Sequence, residues 1–532
     1  MSSQGQMMLK LLDSLRLATI GPGADHPLAS PREAAPIFAE LRAGDPLKAL
    51  EEITDWLQSI HAAEVLKPDR RYEIIRTLDD IAQPHRIKLA REYGTVSRHS
   101  RPHEARLWSL SHDFWSRAAE AYDGLITRFE QKEKGADALK KERPMIAVRA
   151  LRASGMRLKW LYVRYGPIPA DIWVSLGHAY RFAEARGVQQ TRVTPYAGIP
   201  GDTSPVEEFL RTLLLSASAP DALTPLELDV AERIIAGLAS KFRMTTQPNP
   251  DSTYWIDLAN PRQPLRLAAP PSQLTPGLRF FATATGHADV QGLLEKLEKT
   301  SELPRGVDLG GTGDPALVAD VLRHLVINWS PRPPVRRNER KRFQARVSVV
   351  HGFDAIVSVY RPSEVELDFD LGGAPASETW VVENMSNGGF GATVPEVGGD
   401  WLKIGALLAV QPDAGATHWD LAIVRRLSRD AEAKTPQASA GVQVLSRQAL
   451  IGTFTTNVGR WANGVPTVDA IVVPDCGEAG AVMVVLPHGL YLPGEQLLAM
   501  IADQRHLLFP IAVVERGDDY DLIKFRDMVQ DG

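Results

Sequence analysis

Arg342-Phe-Gln-Ala-Arg346-Val-Ser-Val-Val350 and, further on, Trp380-Val-Val-Glu-Asn384-Met-Ser-Asn-Gly-Gly389-Phe-Gly391 are the stretches on which the reading of this chain turns. Each joins a valine-rich strand pattern to residues with a pronounced polar chemistry: arginines at the mouth of the first strand, then an amide, a hydroxyl and glycines after the second. The first stretch closes a dense basic run. Arg332, Arg336, Arg337, Arg340, Lys341, Arg342 and Arg346 are opposed there only by Glu339. On charge alone such a run is a solvated linker or a nonspecific phosphate-binding arm.

Outward from these stretches the texture is that of short strands punctuated by turns. Val347 to Val350, Thr379 to Val382, Leu407 to Val410, Leu421 to Val424 and Gly441 to Val444 predict a small barrel or sandwich. A further β-rich stretch, Val482 to Phe525, either forms a separate domain or adds strands to that barrel. Upstream, Pro331-Arg-Pro-Pro334 predicts a stiff linker. Residues 245–331 mix short strands, Tyr254-Trp-Ile-Asp-Leu and Arg279-Phe-Phe-Ala-Thr-Ala, with helices around Val290 to Leu297 and Pro315 to Asn328. The first half is helical by its spacing. Ile53, Leu57 and Ile60, then Tyr72, Ile75, Leu78 and Ile81, recur every three or four residues, with charges between them as on a solvated face. Ser204-Pro-Val-Glu207 and Thr224-Pro-Leu-Glu227 each set a capping hydroxyl before a first-turn proline.

The expected organisation is a multidomain α+β chain. It comprises helical domain(s) over 1–244, a mixed α/β connecting region over 245–331, a β-barrel over 332–447 and a β-rich C-terminal region over 448–532. The 60 basic and 65 acidic side chains give a net charge of −5, which excludes a globally basic nucleic-acid binder. The single cysteine, Cys476, excludes an internal disulfide framework and a cysteine-rich zinc site. No apolar run reaches the ~18 residues of a membrane span, and Met1 to Lys10 lacks the pattern of a signal peptide. A cytoplasmic protein is expected.

The two opening stretches taken together, Arg342-x-x-x-Arg346 at the mouth of a strand and Asn384-x-Ser386-x-x-Gly389 after a later one, resemble the PilZ domain. Ile404-Gly-Ala-Leu-Leu, Ala422-Ile-Val-Arg-Arg-Leu and Ala440-Gly-Val-Gln-Val-Leu follow in the order of PilZ strands. The resemblance implies a PilZ-like β-barrel that binds the bacterial second messenger cyclic di-GMP, with Arg342, Arg346, Asn384, Ser386 and Gly389 as ligand-binding residues. The usual aspartate is replaced by Asn384. Arg336-Arg337-Asn-Glu-Arg340 offers a second Arg-x-x-x-Arg register. The Arg342/Arg346 pair is preferred because it abuts the strand, which leaves Arg336, Arg337 and Arg340 on the preceding segment to close over the ligand. An acidic connection from Val359 to Ser377 reads as an insertion.

The residue types suit that ligand. Arginine forks onto guanine O6 and N7, stacks on the base and pairs with phosphate oxygens. Asn384 and Ser386 supply donors and acceptors, and a glycine permits close backbone approach. The helical half resembles no recognised family and is assigned to output or to docking an unidentified protein partner. Other patterns carry less. Gly310-Gly-Thr-Gly313 lacks the lysine of a phosphate loop and is a turn before a helix. His99, His103 and His112 do not form a metal-binding spacing. No nucleophile elbow or Walker lysine appears, so neither an enzyme nor a cofactor or metal site is expected. A ligand-independent protein-interaction scaffold is the alternative, and nonspecific nucleic-acid binding is disfavoured because only Phe343 interleaves the arginines.

Overall fold

The computed structural model describes residues 26–63, 66–95, 101–198, 201–268, 270–305, 307–311, 313–331, 341–361, 377–395, 401–412, 416, 418–429, 437–455, 467–474, 477–478, 480–492 and 494–529. Helices come first and barrels after. Two compact units divide the chain near Pro334.

The first unit contains ten helices among the described residues: α1 (Pro31–Ala43), α2 (Pro46–Ala62), α3 (Pro68–Thr95), α4 (Arg101–Glu130), α5 (Arg143–Val163), α6 (Ala170–Ala185), α7 (Pro205–Ala217), α8 (Pro225–Leu238), α9 (His287–Thr300) and α10 (Pro315–Trp329). A small antiparallel sheet, β1 (Tyr254–Asp257), β2 (Leu265–Arg266) and β3 (Leu278–Phe281), has the order β2-β1-β3. The spaced apolar residues are buried as their period requires, with Ile53, Leu57, Ile60, Ile75 and Leu78 wholly inaccessible. Prolines at the first turns suit N-termini whose amides need no partner. The glycine-rich segment before α10 is indeed a turn, and Asp314 caps the helix by accepting from Ala316 N at 2.9 Å. Ser204 occupies the N-cap of α7 without a side-chain capping bond. None of these helices is long and apolar enough to cross a membrane.

Charges between the apolar positions are not all solvated. Asp79 on α3 is buried and accepts from Tyr122 on α4 (2.9 Å), from Tyr196 (3.0 Å) and from Arg149 on α5 (3.0 Å). Arg149, also buried, reaches Asp80 and the carbonyl of Pro195. The polar ladder continues through Arg152 and Glu208 on α7 (2.5 Å), then Arg211, Glu232 on α8, Lys159 and Asp229. These charges are tolerated inside because each faces an opposite charge and hydrogen-bonding partners.

The second unit holds two closed six-stranded barrels. β4 (Lys341–His351), β5 (Glu378–Ser386), β6 (Gly389–Pro395), β7 (Leu407–Gln411), β8 (Asp420–Arg429) and β9 (Gln437–Ser446) close in the order β4-β5-β6-β9-β8-β7. A helix, α11 (Phe353–Tyr360), follows β4. β10 (Leu450–Thr455), β11 (Thr467–Val473), β12 (Ala481–Pro487), β13 (Leu497–Ile501), β14 (Gln504–Arg516) and β15 (Tyr520–Val529) close in the order β10-β11-β12-β15-β14-β13. The β-rich stretch after Arg447 is therefore a barrel of its own.

Alternation fills the first barrel with Val347, Val349, Trp380, Val382, Phe390, Ala392, Val424 and Val442. Tyr165 belongs to this unit and packs in the same core, its carbonyl accepting from Arg429 N at 2.8 Å. A second core joins the barrels. Val350, Leu407, Leu421 and Ile423 of the first barrel pack with Phe353, Ile356 and Val357 of α11 and with Ile471, Val485, Tyr520 and Leu522 of the second.

Candidate ligand-binding rim of the first barrel

Strand pairing decides which residues of the two motifs meet. β4 runs antiparallel to β5 with Arg346 opposite Val381 and Arg342 opposite Asn384, across an irregularity between Arg342 and Ala345. The start of β4 and the end of β5 therefore lie side by side at one rim. β6 turns back beside β5, with Ser386 opposite Gly389 and Asn384 opposite Gly391. Two segments far apart in the chain thus share one end of the barrel because their strands are neighbours.

Arg346 is exposed on the outer wall, since Val347 and Val349 take the inward positions. Arg342 is described by its place on β4. Arg332, Arg336, Arg337 and Arg340 lie outside the described residues, as does most of the acidic connection, residues 362–376. Asn384 sits where β5 is irregular against both neighbours, and its Oδ1 is buried with no hydrogen-bond partner among the described residues. An acceptor left unsatisfied after desolvation costs about 1–3 kcal/mol, so a ligand donor placed there would recover that penalty. Ser386 is committed locally, its hydroxyl donating to the carbonyl of Gly389 at 3.1 Å. That bond holds the hairpin turn rather than leaving the hydroxyl proton available.

Gly389 answers to a specific obstruction. Its φ is +155°, and a Cβ built on it would lie 2.0 Å from the carbonyl oxygen of Val442 on β9. Only a residue without a side chain lets β6 approach β9 this closely. The glycine therefore serves the barrel wall itself.

The pairing also brings in residues that the motifs do not name. Gln443 lies opposite Gly389 on β9, and Arg425 on β8 donates through Nε to Gln443 Oε1 at 2.7 Å. The same guanidinium donates through Nη1 to Glu515 of β14 at 2.6 Å. Glu515 in turn accepts from the buried hydroxyl of Tyr520 (3.1 Å), which also donates to the carbonyl of Gly405 (2.9 Å). Burial raises the Tyr520 phenol far above its ordinary range, with Glu515 adding to the shift, so it stays a donor. Both residues lie in stretches read as barrel strands, but nothing in the local sequence assigns them to the rim; that placement comes from the β6-β9-β8 order.

The histidines set aside on spacing have ordinary partners. His103 faces Glu92 at 2.7 Å, and His112 stacks on Trp108 with centroids 5.1 Å apart. His99 lies outside the described residues. The described rim thus carries the exposed side chain of Arg346 and the unsatisfied amide oxygen of Asn384, groups that suit an anionic, hydrogen-bonding ligand. No curated protein matches this chain. The helical half, whose sequence resembles no family by its motifs, matches over residues 32–250 the family model described as cyclic-di-GMP receptor FimW, N-terminal domain.

Proposed function

We propose that this chain is a bacterial cyclic di-GMP receptor in which a PilZ-like barrel, residues 332–447, holds the nucleotide and the helical half serves as output or docking region. The observation that carries the reading is the β4–β5 pairing, which sets Arg342 opposite Asn384 with the exposed Arg346 on the same strand. The match of residues 32–250 to the N-terminal domain of a cyclic di-GMP receptor supports it from an unrelated part of the chain.

In this reading Arg342 and Arg346 take a phosphate and a guanine edge. Asn384 meets the base through its free acceptor, and Ser386 and Gly389 keep the turn in shape. Arg336, Arg337 and Arg340, on the segment ahead of β4, fold over the bound nucleotide, and this ordering is the step that reaches the helical half. The receptor has a binding rather than a catalytic role.

Titration calorimetry of the full chain with cyclic di-GMP tests the proposal. Saturable binding at about tens of micromolar or tighter is expected. A folded sample that gives no saturable heat overturns it. Arg346→Ala should weaken binding by roughly ten- to a hundredfold, the worth of a charge-assisted contact, while leaving the melting temperature unchanged, because the side chain is exposed.

A further inference from the structure

The outer wall of the second barrel carries an apolar row that no motif foretells. Alternation sends Leu497, Ala499, Ile501, Leu508, Ile523 and Phe525 into the barrel core, so the residues between them face outward. Register then lines up Leu498 of β13 with Leu507 of β14, and Leu507 with Met528 of β15. Leu498 is 50% exposed and Met528 53%. The row is flanked on one side by the adjacent pair Met500 and Arg505, and on the other by Phe509 and Arg526. Both arginines are exposed; neither has an ion pair within 4 Å among the described residues, and Arg526 acts on the exposed Glu478, which pairs with Lys524, only from a distance. Asp527, the carboxylate nearest on β15, is taken by His506 Nδ1 at 2.8 Å, and Asp503 lies in the turn beyond Met500.

We propose that this wall docks an acidic amphipathic helix of a protein partner. The barrel is closed, so a partner cannot add a strand to it and must bind through side chains. The apolar row runs across the strands, where neighbouring residues are spaced by about 4.8 Å. That spacing matches the roughly 5–6 Å between i and i+3 or i+4 side chains on a helix, so a helix laid across β13, β14 and β15 sets one apolar residue on each. Arg505 and Arg526 fall on opposite sides of the row, about two strand residues or ~7 Å away, where carboxylates on both flanks of the helix meet them. A lipid surface fits less well. These side chains stand on a barrel wall, whereas interfacial anchors bury their apolar groups about 5–10 Å deep.

The proposal is independent of nucleotide binding and is tested without it. Two labelled helical peptides that differ only in flanking residues, leucines at i, i+4, i+7 and i+11 with either glutamates or lysines beside them, are titrated into the full chain by fluorescence anisotropy. The glutamate peptide is expected to bind at least about tenfold tighter, and the double variant R505E/R526E to reverse that preference. Leu507→Ser should weaken both peptides. Equal affinity for the two peptides, or an unchanged preference in R505E/R526E with the melting temperature retained, overturns the proposal. Co-sedimentation with phosphatidylglycerol vesicles, lost in R505E/R526E and with no peptide preference, would overturn it in favour of a lipid surface.

Discussion

At Gly389 the sequence motif and the structural constraint coincide for different reasons. The motif asks for a glycine beside a ligand, whereas the barrel asks for one because the Val442 carbonyl occupies the space of a side chain. Gly389→Ala should therefore destabilise the barrel by ~2–4 kcal/mol, read by urea denaturation, whether or not nucleotide is present. An unaltered midpoint would show that β9 yields at little cost. The constraint was invisible in the sequence because Val442 lies far along the chain. Arg425 was equally hidden, appearing there as one basic residue in a strand pattern.

Titration provides a second residue-scale test. His178 on α6 bonds Asp123 through Nδ1 (2.6 Å) and Glu130 through Nε2 (3.1 Å), both on α4. The Asp123 hydrogen bond raises its pKa from 6.5, burial opposes the rise, and Glu130 adds to it. A raised folded pKa means that folding favours the protonated ring. The stabilisation is complete below the unfolded value near 6.5 and is lost as pH rises through the folded value. His178→Gln should lower stability at pH 5.5 more than at pH 8.5, by thermal unfolding at the two pH values; equal losses would contradict the assignment.

Among elements, the helices of the first half were legible because three- and four-residue spacing survives without tertiary information. Their charges were not. Arg149 and Asp79 look like solvated side chains in sequence, and only the packing of α3, α4 and α5 shows that they neutralise each other inside. Arg149→Met should cost ~3 kcal/mol, because it removes one of two arginines from a buried carboxylate and leaves Asp79 only Arg86 at 3.3 Å and two tyrosine hydroxyls, and the joint change Arg149→Met/Asp79→Leu should recover part of that loss in a double-mutant cycle. In the second half, the valine-rich strands were readable from composition. β6 was not, since Gly389-Phe-Gly391 reads as a turn, and α11 was not, since its eight apolar-rich residues also fit a strand. The candidate rim was half legible: two motifs gave its residues, while the strand order that assembles them required the fold.

For the molecule as a whole, the second unit is the scale at which the barrels stop being separable. Each has its own interior, yet Leu421, Ile423 and Phe353 share a core with Ile471, Tyr520 and Leu522. A chain ending at Arg447 should lose soluble expression or show dispersed, concentration-dependent aggregation, because that core becomes exposed apolar surface. A monomeric, well-folded product of that length would show that the first barrel stands alone.

The shared core has a consequence for how a bound nucleotide is felt. If the barrels open together, a ligand held only at the rim of the first also draws on the closed population of the second, by mass action. Backbone amides of β12, to which the rim network of Arg425, Glu515 and Tyr520 does not extend, should then exchange with deuterium more slowly when cyclic di-GMP is added, and the apolar wall on β13 to β15 would be firmed by a molecule bound on another barrel.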